Sequence, residues 1–303
     1  MRAGPLDYET ERLQRCACRR NRPHYRLVRK AQAMISQNTS DLWTTLCADL
    51  QGQRARSAEH HLHQEAAEAF VEAARSAFSR NSKRLVDAIE IAGDVHQSAN
   101  GLGRAKESFA EALKLATDAQ LFAVAARLEM KIGLLDEAVG KSEEAIRHYK
   151  NALDCCKTAH DRSAIPTILN NLGGIERRLR RPERAETYYL EAVEEARQIH
   201  GNDHPEVAVM LNNLGVAFTE AGAFDKAEDV HLRALGMRER SLGANHPDVA
   251  RSMHNLAVVY QMRGDVARAR SFYEGAIALL QKYLPPEEPE LQTIVENFRS
   301  LGT

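Results

Sequence analysis

The chain has 303 residues, 44% hydrophobic and 27% charged, with a formal net charge of −1, which excludes a chain-wide polyanion binder. No apolar run reaches the roughly 18 residues that a membrane helix requires. The five cysteines (Cys16, Cys18, Cys47, Cys155 and Cys156) form no C-x-x-C pair, so they indicate neither a zinc ribbon nor a dithiol motif and fit reduced thiols in the cytoplasm.

Residues 1–33 carry nine Lys/Arg against three Asp/Glu. This basic arm, extended to residue 38, is expected to be a disordered lead, possible translation starting at Met34. Its other use would be contact with nucleic acid or anionic lipid. From Thr39 the pattern turns helical, with Leu42, Trp43, Leu46 and Leu50 on one side and Trp43 expected in the core. His60, His61 and His63 follow on a second helix without a third ligand at suitable spacing, and are expected to be a solvated side. Gly140-Lys141-Ser142 resembles the end of a phosphate loop, but Leu135 stands where that loop needs glycine. Gly140 is therefore expected to be a turn glycine, like Gly222 and Gly264.

From 163 onward one 42-residue paragraph recurs. Asn171-Leu172, Asn213-Leu214 and Asn255-Leu256 fall at this interval, and Asn297-Phe298 continues it. Pro205, Pro247 and Pro289 mark the paragraph ends. A finer signature reaches further back, with alanines seven residues apart and a ring between them. These triplets are Ala66/Phe70/Ala73, Ala105/Phe109/Ala112, Ala145/Tyr149/Ala152, Ala185/Tyr189/Ala192, Ala227/His231/Ala234 and Ala269/Tyr273/Ala276. Offsets of four and seven return to one helix face. Twelve residues before five of these stand Gly93, Gly133, Gly173, Gly215 and Ala257, small residues that let two helices of one unit cross closely. A period of this size means stacked helical hairpins.

These small-residue, aromatic and alanine columns resemble the tetratricopeptide repeat. The segment Gly243-Ala244-Asn245-His246-Pro247-Asp248-Val249-Ala250, echoed at Gly201-Asn202-Asp203-His204-Pro205-Glu206-Val207-Ala208, is similar to the inter-repeat segment of kinesin light chains and nephrocystin-3. The resemblance implies an all-α, right-handed superhelical solenoid over 39–303. Six repeats are expected at about 41–80, 82–119, 121–161, 163–204, 205–246 and 247–288, with a cap at 290–303. His200 and His204 are four apart but straddle a Gly-Asn-Asp turn, which argues against a metal pair; no metal and no cofactor are expected.

No paired carboxylates, Ser-His-Asp set or Cys-His dyad has interpretable spacing, so no enzyme is expected. The inner wall of the repeats is the candidate site. Its exposed positions are Asn170/Asn171, Asn212/Asn213 and His254/Asn255. An asparagine amide can satisfy a peptide's C=O and N–H together, and the kinesin-light-chain resemblance places this column in a cargo groove. The alternative is that the amides bridge adjacent helices; poor helix propensity favours the ligand. Arg127, Lys131, Arg177, Arg178, Arg251 and Gln261 lie on the same wall and predict a preference for acidic peptides. The expected function is thus a cytoplasmic interaction scaffold binding an extended acidic segment, without a small-molecule or membrane partner. The alternative is an assembly subunit acting through self-association, a homo-oligomer whose basic arm contacts nucleic acid.

Overall fold

A computed structural model describes residues 60–302. The basic arm, Trp43 and the first three cysteines lie outside the described residues, as do the side chains of His60, His61 and His63. Twelve α-helices and no strands are found among the described residues. They are α1 (His60–Ala77), α2 (Lys83–Ser98), α3 (Leu102–Asp118), α4 (Phe122–Ala138), α5 (Ser142–Ala159), α6 (Ile165–Arg178), α7 (Pro182–His200), α8 (Pro205–Glu220), α9 (Phe224–Leu242), α10 (Pro247–Arg263), α11 (Val266–Leu280) and α12 (Pro289–Ser300). The chain forms two compact units, one ending at Leu135 and the other starting at Asp136. In the first, α2 packs on α1 and α3; in the second, α6 pairs with α7, α8 with α9 and α10 with α11.

Several helix ends have a clear local cause. The Glu206 and Asp248 N–H groups donate to His204 Nδ1 and His246 Nδ1 at 3.3 and 3.1 Å, so both histidines cap their helices. Pro205 and Pro247 follow in the first turn, where a missing N–H loses nothing. Between the two helices of a hairpin the chain reverses through one left-handed residue. Gly140, Gly222 and Gly264 fill this position with φ of +79°, +74° and +87°. Beyond each, an N–H reaches back five residues, as in Lys141 N to Asp136 O at 2.8 Å and Asp265 N to Tyr260 O at 2.8 Å. Gly140 is thus a turn glycine, as its place in the repeat implies.

The packing follows the columns read from the sequence. Ala105, Ala112, Ala145, Ala152, Ala185, Ala192, Ala227, Ala234, Ala269 and Ala276 are all fully buried. The rings between them sit against the small residues of the preceding helix. A Cβ on Gly173 would lie 2.9 Å from the Tyr189 ring, and one on Gly215 would lie 2.5 Å from the His231 ring. On Gly93 it would run into Phe109. Tyr149 and Tyr273 send their hydroxyls out of the core to the residue twelve positions earlier, donating to Glu137 Oε2 (3.2 Å) and Gln261 Oε1 (2.5 Å). Repeat five departs from its neighbours at a buried polar contact: Arg238 donates to Ser252 Oγ at 2.7 Å and Asp248 O at 3.1 Å. One period away in either direction the same two positions hold buried Ala196 and Met210, or Leu280 and Ile294.

Two outcomes follow from these columns. Arg180 occupies the left-handed turn position at φ +57°. Arg180→Gly removes that strain and is expected to raise the urea-unfolding free energy by about 0.5–1 kcal/mol; an unchanged midpoint would contradict it. His231 is a buried imidazole packed against the Gly215 backbone, with neither ring nitrogen in a well-formed hydrogen bond. Burial lowers its pKa to about 4, so between pH 6.5 and about 4 the unfolded chain holds more protons than the folded one. Stability is therefore lost as pH falls through this window, on the order of 3 kcal/mol from this group. His231→Tyr restores the repeat's usual ring, with Thr219 twelve positions earlier to meet its hydroxyl. It is expected to stabilise the protein and flatten that part of the pH profile in urea melts.

Candidate functional site

Burial along the first helix of each hairpin in the second unit leaves one open stripe. On α8 it consists of Val209, Asn212, Asn213, Val216 and Glu220, spaced by three or four residues apart from the adjacent asparagines. The same stripe on α6 is Thr167, Asn170, Asn171, Gly174, Arg177 and Arg178; on α10 it includes Arg251, His254, Asn255, Val258, Gln261 and Met262. Helix α8 contacts both α6 and α10, so the stripes lie side by side. Every candidate residue from the second unit falls on this open face.

The asparagines form a ladder across it. Asn213 Nδ2 donates to Asn170 Oδ1 at 2.7 Å, and Asn255 Nδ2 donates to Asn212 Oδ1 at 2.6 Å. Asn297 on α12 continues the pattern to His254 Nε2 at 3.2 Å. Each rung joins the second amide of one repeat to the first of the repeat before. The amides therefore do bridge helices, the alternative use identified in the sequence. They are only partly buried, and each rung engages one N–H of the donor amide and one lone pair of the acceptor, out of two of each. Asn171 has no such donor bond and lies beside the Tyr149 hydroxyl.

The cations of the wall are matched by carboxylates. Arg177 pairs with Glu220 across the α6–α8 step, and Arg178 Nη2 lies 2.7 Å from Glu137 Oε1. Arg251 grips Glu290 through Nε (2.6 Å) and Nη2 (2.9 Å) and also holds Asp248. The bond to Glu290 leads the rise of the Arg251 pKa and, in return, the fall of the Glu290 pKa. Gln261 Nε2 donates to Ser300 Oγ at 2.9 Å. In the first unit, Arg127 clasps Glu90 through two bonds of 2.8 and 2.7 Å, and Lys131 Nζ lies 2.7 Å from both Glu90 and Asp94. Burial pushes the Glu90 carboxyl up, but Arg127 and Lys131 outweigh it and hold it below the usual range. The wall is thus charge-compensated, where the cations read alone predict a basic groove.

Two features escaped the sequence reading. Val216 and Val258 occupy one register position beside the rungs, with Gly174 the smaller member of the column. His200 and His204, whose intervening turn breaks the helical geometry of a metal pair, are nonetheless brought together by that turn. Their rings stack at 4.4 Å and 18°, and His200 Nε2 lies 2.8 Å from Glu206 Oε2.

The tetratricopeptide repeat family profile matches residues 164–240 and 224–282. Residues 164–282 of the chain are tetratricopeptide repeats. Its fold is shared by BtubC (BKLC) from P. vanneervenii, 28% identical over 77% of this chain and 96% of that one, with a TM-score of 0.67. It is also similar to the nearly identical kinesin-light-chain repeats of Podosopora anserina (15% identity, 68% and 98% covered, TM-score 0.59). A third similar structure is PilF of Pseudomonas aeruginosa (16% identity, 84% and 96% covered, TM-score 0.55). A search of curated proteins gives no match. No helix among the described residues is long and apolar enough to cross a membrane.

If the rungs hold repeats together, Asn213→Ala and Asn170→Ala should each destabilise the protein by about 1 kcal/mol. Their double-mutant cycle should return a coupling of about 0.5–1.5 kcal/mol. Strict additivity would show that the amides do not interact.

Proposed function

We propose that this protein is a non-enzymatic interaction scaffold that takes an extended peptide across the open face of α6, α8 and α10. The observation that carries the reading is the ladder itself. Asparagines in mid-helix are a propensity cost. Here they are partly exposed and mutually oriented, and they retain donor and acceptor capacity toward solvent. A bound strand would meet amides already fixed by their rungs, which lowers the ordering cost of binding. Val216 and Val258 offer apolar contact between rungs, and Gly174 leaves room for a side chain.

The acidic preference predicted from the cations is offset by their pairing, because an acidic strand would compete with the resident carboxylates. The proposed ligand is therefore a neutral segment with small apolar side chains. The tetratricopeptide fold supports a protein-interaction role in general, while the amides and valines supply the particular reading. The assembly-subunit alternative rests on the basic arm, outside the described residues, and no observation favours it.

The test uses a library of 12-residue peptides with acidic, neutral and basic subsets, and binding measured by fluorescence anisotropy. Neutral peptides should be enriched. The double variant Val216→Glu/Val258→Glu, which leaves the rungs intact, should weaken them at least about tenfold while its thermal melt stays close to wild type. Enrichment of acidic peptides alone would restore the cation reading and overturn this one. Binders indifferent to the two valines, or no binders at all, would overturn the open-face site.

A further inference from the structure

We infer that the joint between α7 and α8 is a binding site for a divalent transition-metal ion, built from His200, His204 and Glu206. His200 is the last residue of α7, His204 caps α8, and Glu206 stands in the first turn of α8. One ligand atom from each lies within 4.8 Å of the other two. His200 Nε2 and Glu206 Oε2 are already 2.8 Å apart. Two ligands of a tetrahedral ion at ordinary bond lengths stand about 3.4 Å apart, so small side-chain rotations bring the three into range. Two imidazoles and a carboxylate suit Zn²⁺, Ni²⁺ or Cu²⁺, with water completing the shell, and suit Ca²⁺ or Mg²⁺ poorly.

The repeat frame supplies a control. One period later the same joint carries Leu242, His246 and Asp248. His246 and Asp248 repeat the capping geometry there, with the Asp248 N–H donating to His246 Nδ1. Capping therefore accounts for His204 and the position of Glu206, but it does not account for His200, where leucine serves the next joint. Nor does hydrogen bonding account for it. His200 Nε2 is buried beside the carboxylate, yet no hydrogen bond is aligned along that contact. Ligation through His204 Nε2 would move the ring proton to Nδ1 and release the long 3.3 Å cap bond from Glu206 N. The ion would replace that cap with a direct tie between the second helix of one repeat and the first helix of the next.

The experiment is isothermal titration of the untagged full chain with ZnCl₂ and with NiCl₂ at near-neutral pH, beside two variants. His200→Leu installs the residue of the next joint, and His204→Asn keeps a capping side chain while removing the imidazole. Histidines and cysteines elsewhere in the chain can also take up metal, so the readout is the difference between isotherms. Wild type should show one equivalent of metal that each variant binds at least about tenfold more weakly or lacks. Isotherms that superimpose for wild type and either variant would overturn the site, as would a wild type that takes up neither metal.

Discussion

The structure depends on a close approach that only glycine or alanine permits. In three hairpins a ring on the second helix lies where a side chain on the first would otherwise begin, at Gly93 and Phe109, Gly173 and Tyr189, and Gly215 and His231. Because the two helices cross this tightly, the fully buried alanines on either side of the ring need no larger partner. Apolar burial of this kind is non-directional and sets no register by itself. The registers are set by polar pairs at the edges, such as the amide rungs, the Arg251–Glu290 fork and the Arg238–Ser252 exchange.

Repetition also determines what the protein can do. In the second unit, packing consumes three sides of α6, α8 and α10 and leaves one narrow stripe on each. Whatever stands on that stripe recurs at each repeat, so a single side-chain choice becomes a row. A row of amides is suited to a ligand that itself repeats, and an extended peptide backbone is the simplest such ligand. The paired cations act differently. Each reaches a neighbouring repeat through a carboxylate, and that partner offsets its charge toward anything else on the face.

Much of this was legible in the sequence because a period multiplies weak signals. The alanine and ring columns, the left-handed turn at Gly140 and the His-Pro starts of α8 and α10 could each be read from spacing. The amide positions were legible as well, but not their partners. A rung joins residues 43 apart, one more than the repeat, because the donor column of one hairpin faces the acceptor column of the hairpin before it. That offset comes from the rotation between hairpins, which a linear period does not contain. The carboxylates that cancel Arg177 and Arg251 lie 43 and 39 residues away on other columns, and are invisible when the cations are lined up alone. The approach of His200 to His204 was hidden for a related reason. The turn between them breaks helical spacing, yet at Gly201, with φ +88°, it folds the second ring back onto the first. Val216 and Val258 left a fainter signal, an apolar residue at fixed distance from each amide pair, which becomes meaningful only once the buried sides of the helix are known.

The central claim is that the amide ladder faces a ligand as well as holding repeats together. Its most direct measurement is a titration, followed by the side-chain NH₂ resonances of a ¹⁵N-labelled sample, with a peptide selected for binding. The account expects the signals of Asn170, Asn171, Asn212, Asn213 and Asn255 to move first and saturate together with the peptide. Shifts confined to the outward surfaces of α7, α9 and α11, with these amides unmoved, would contradict it.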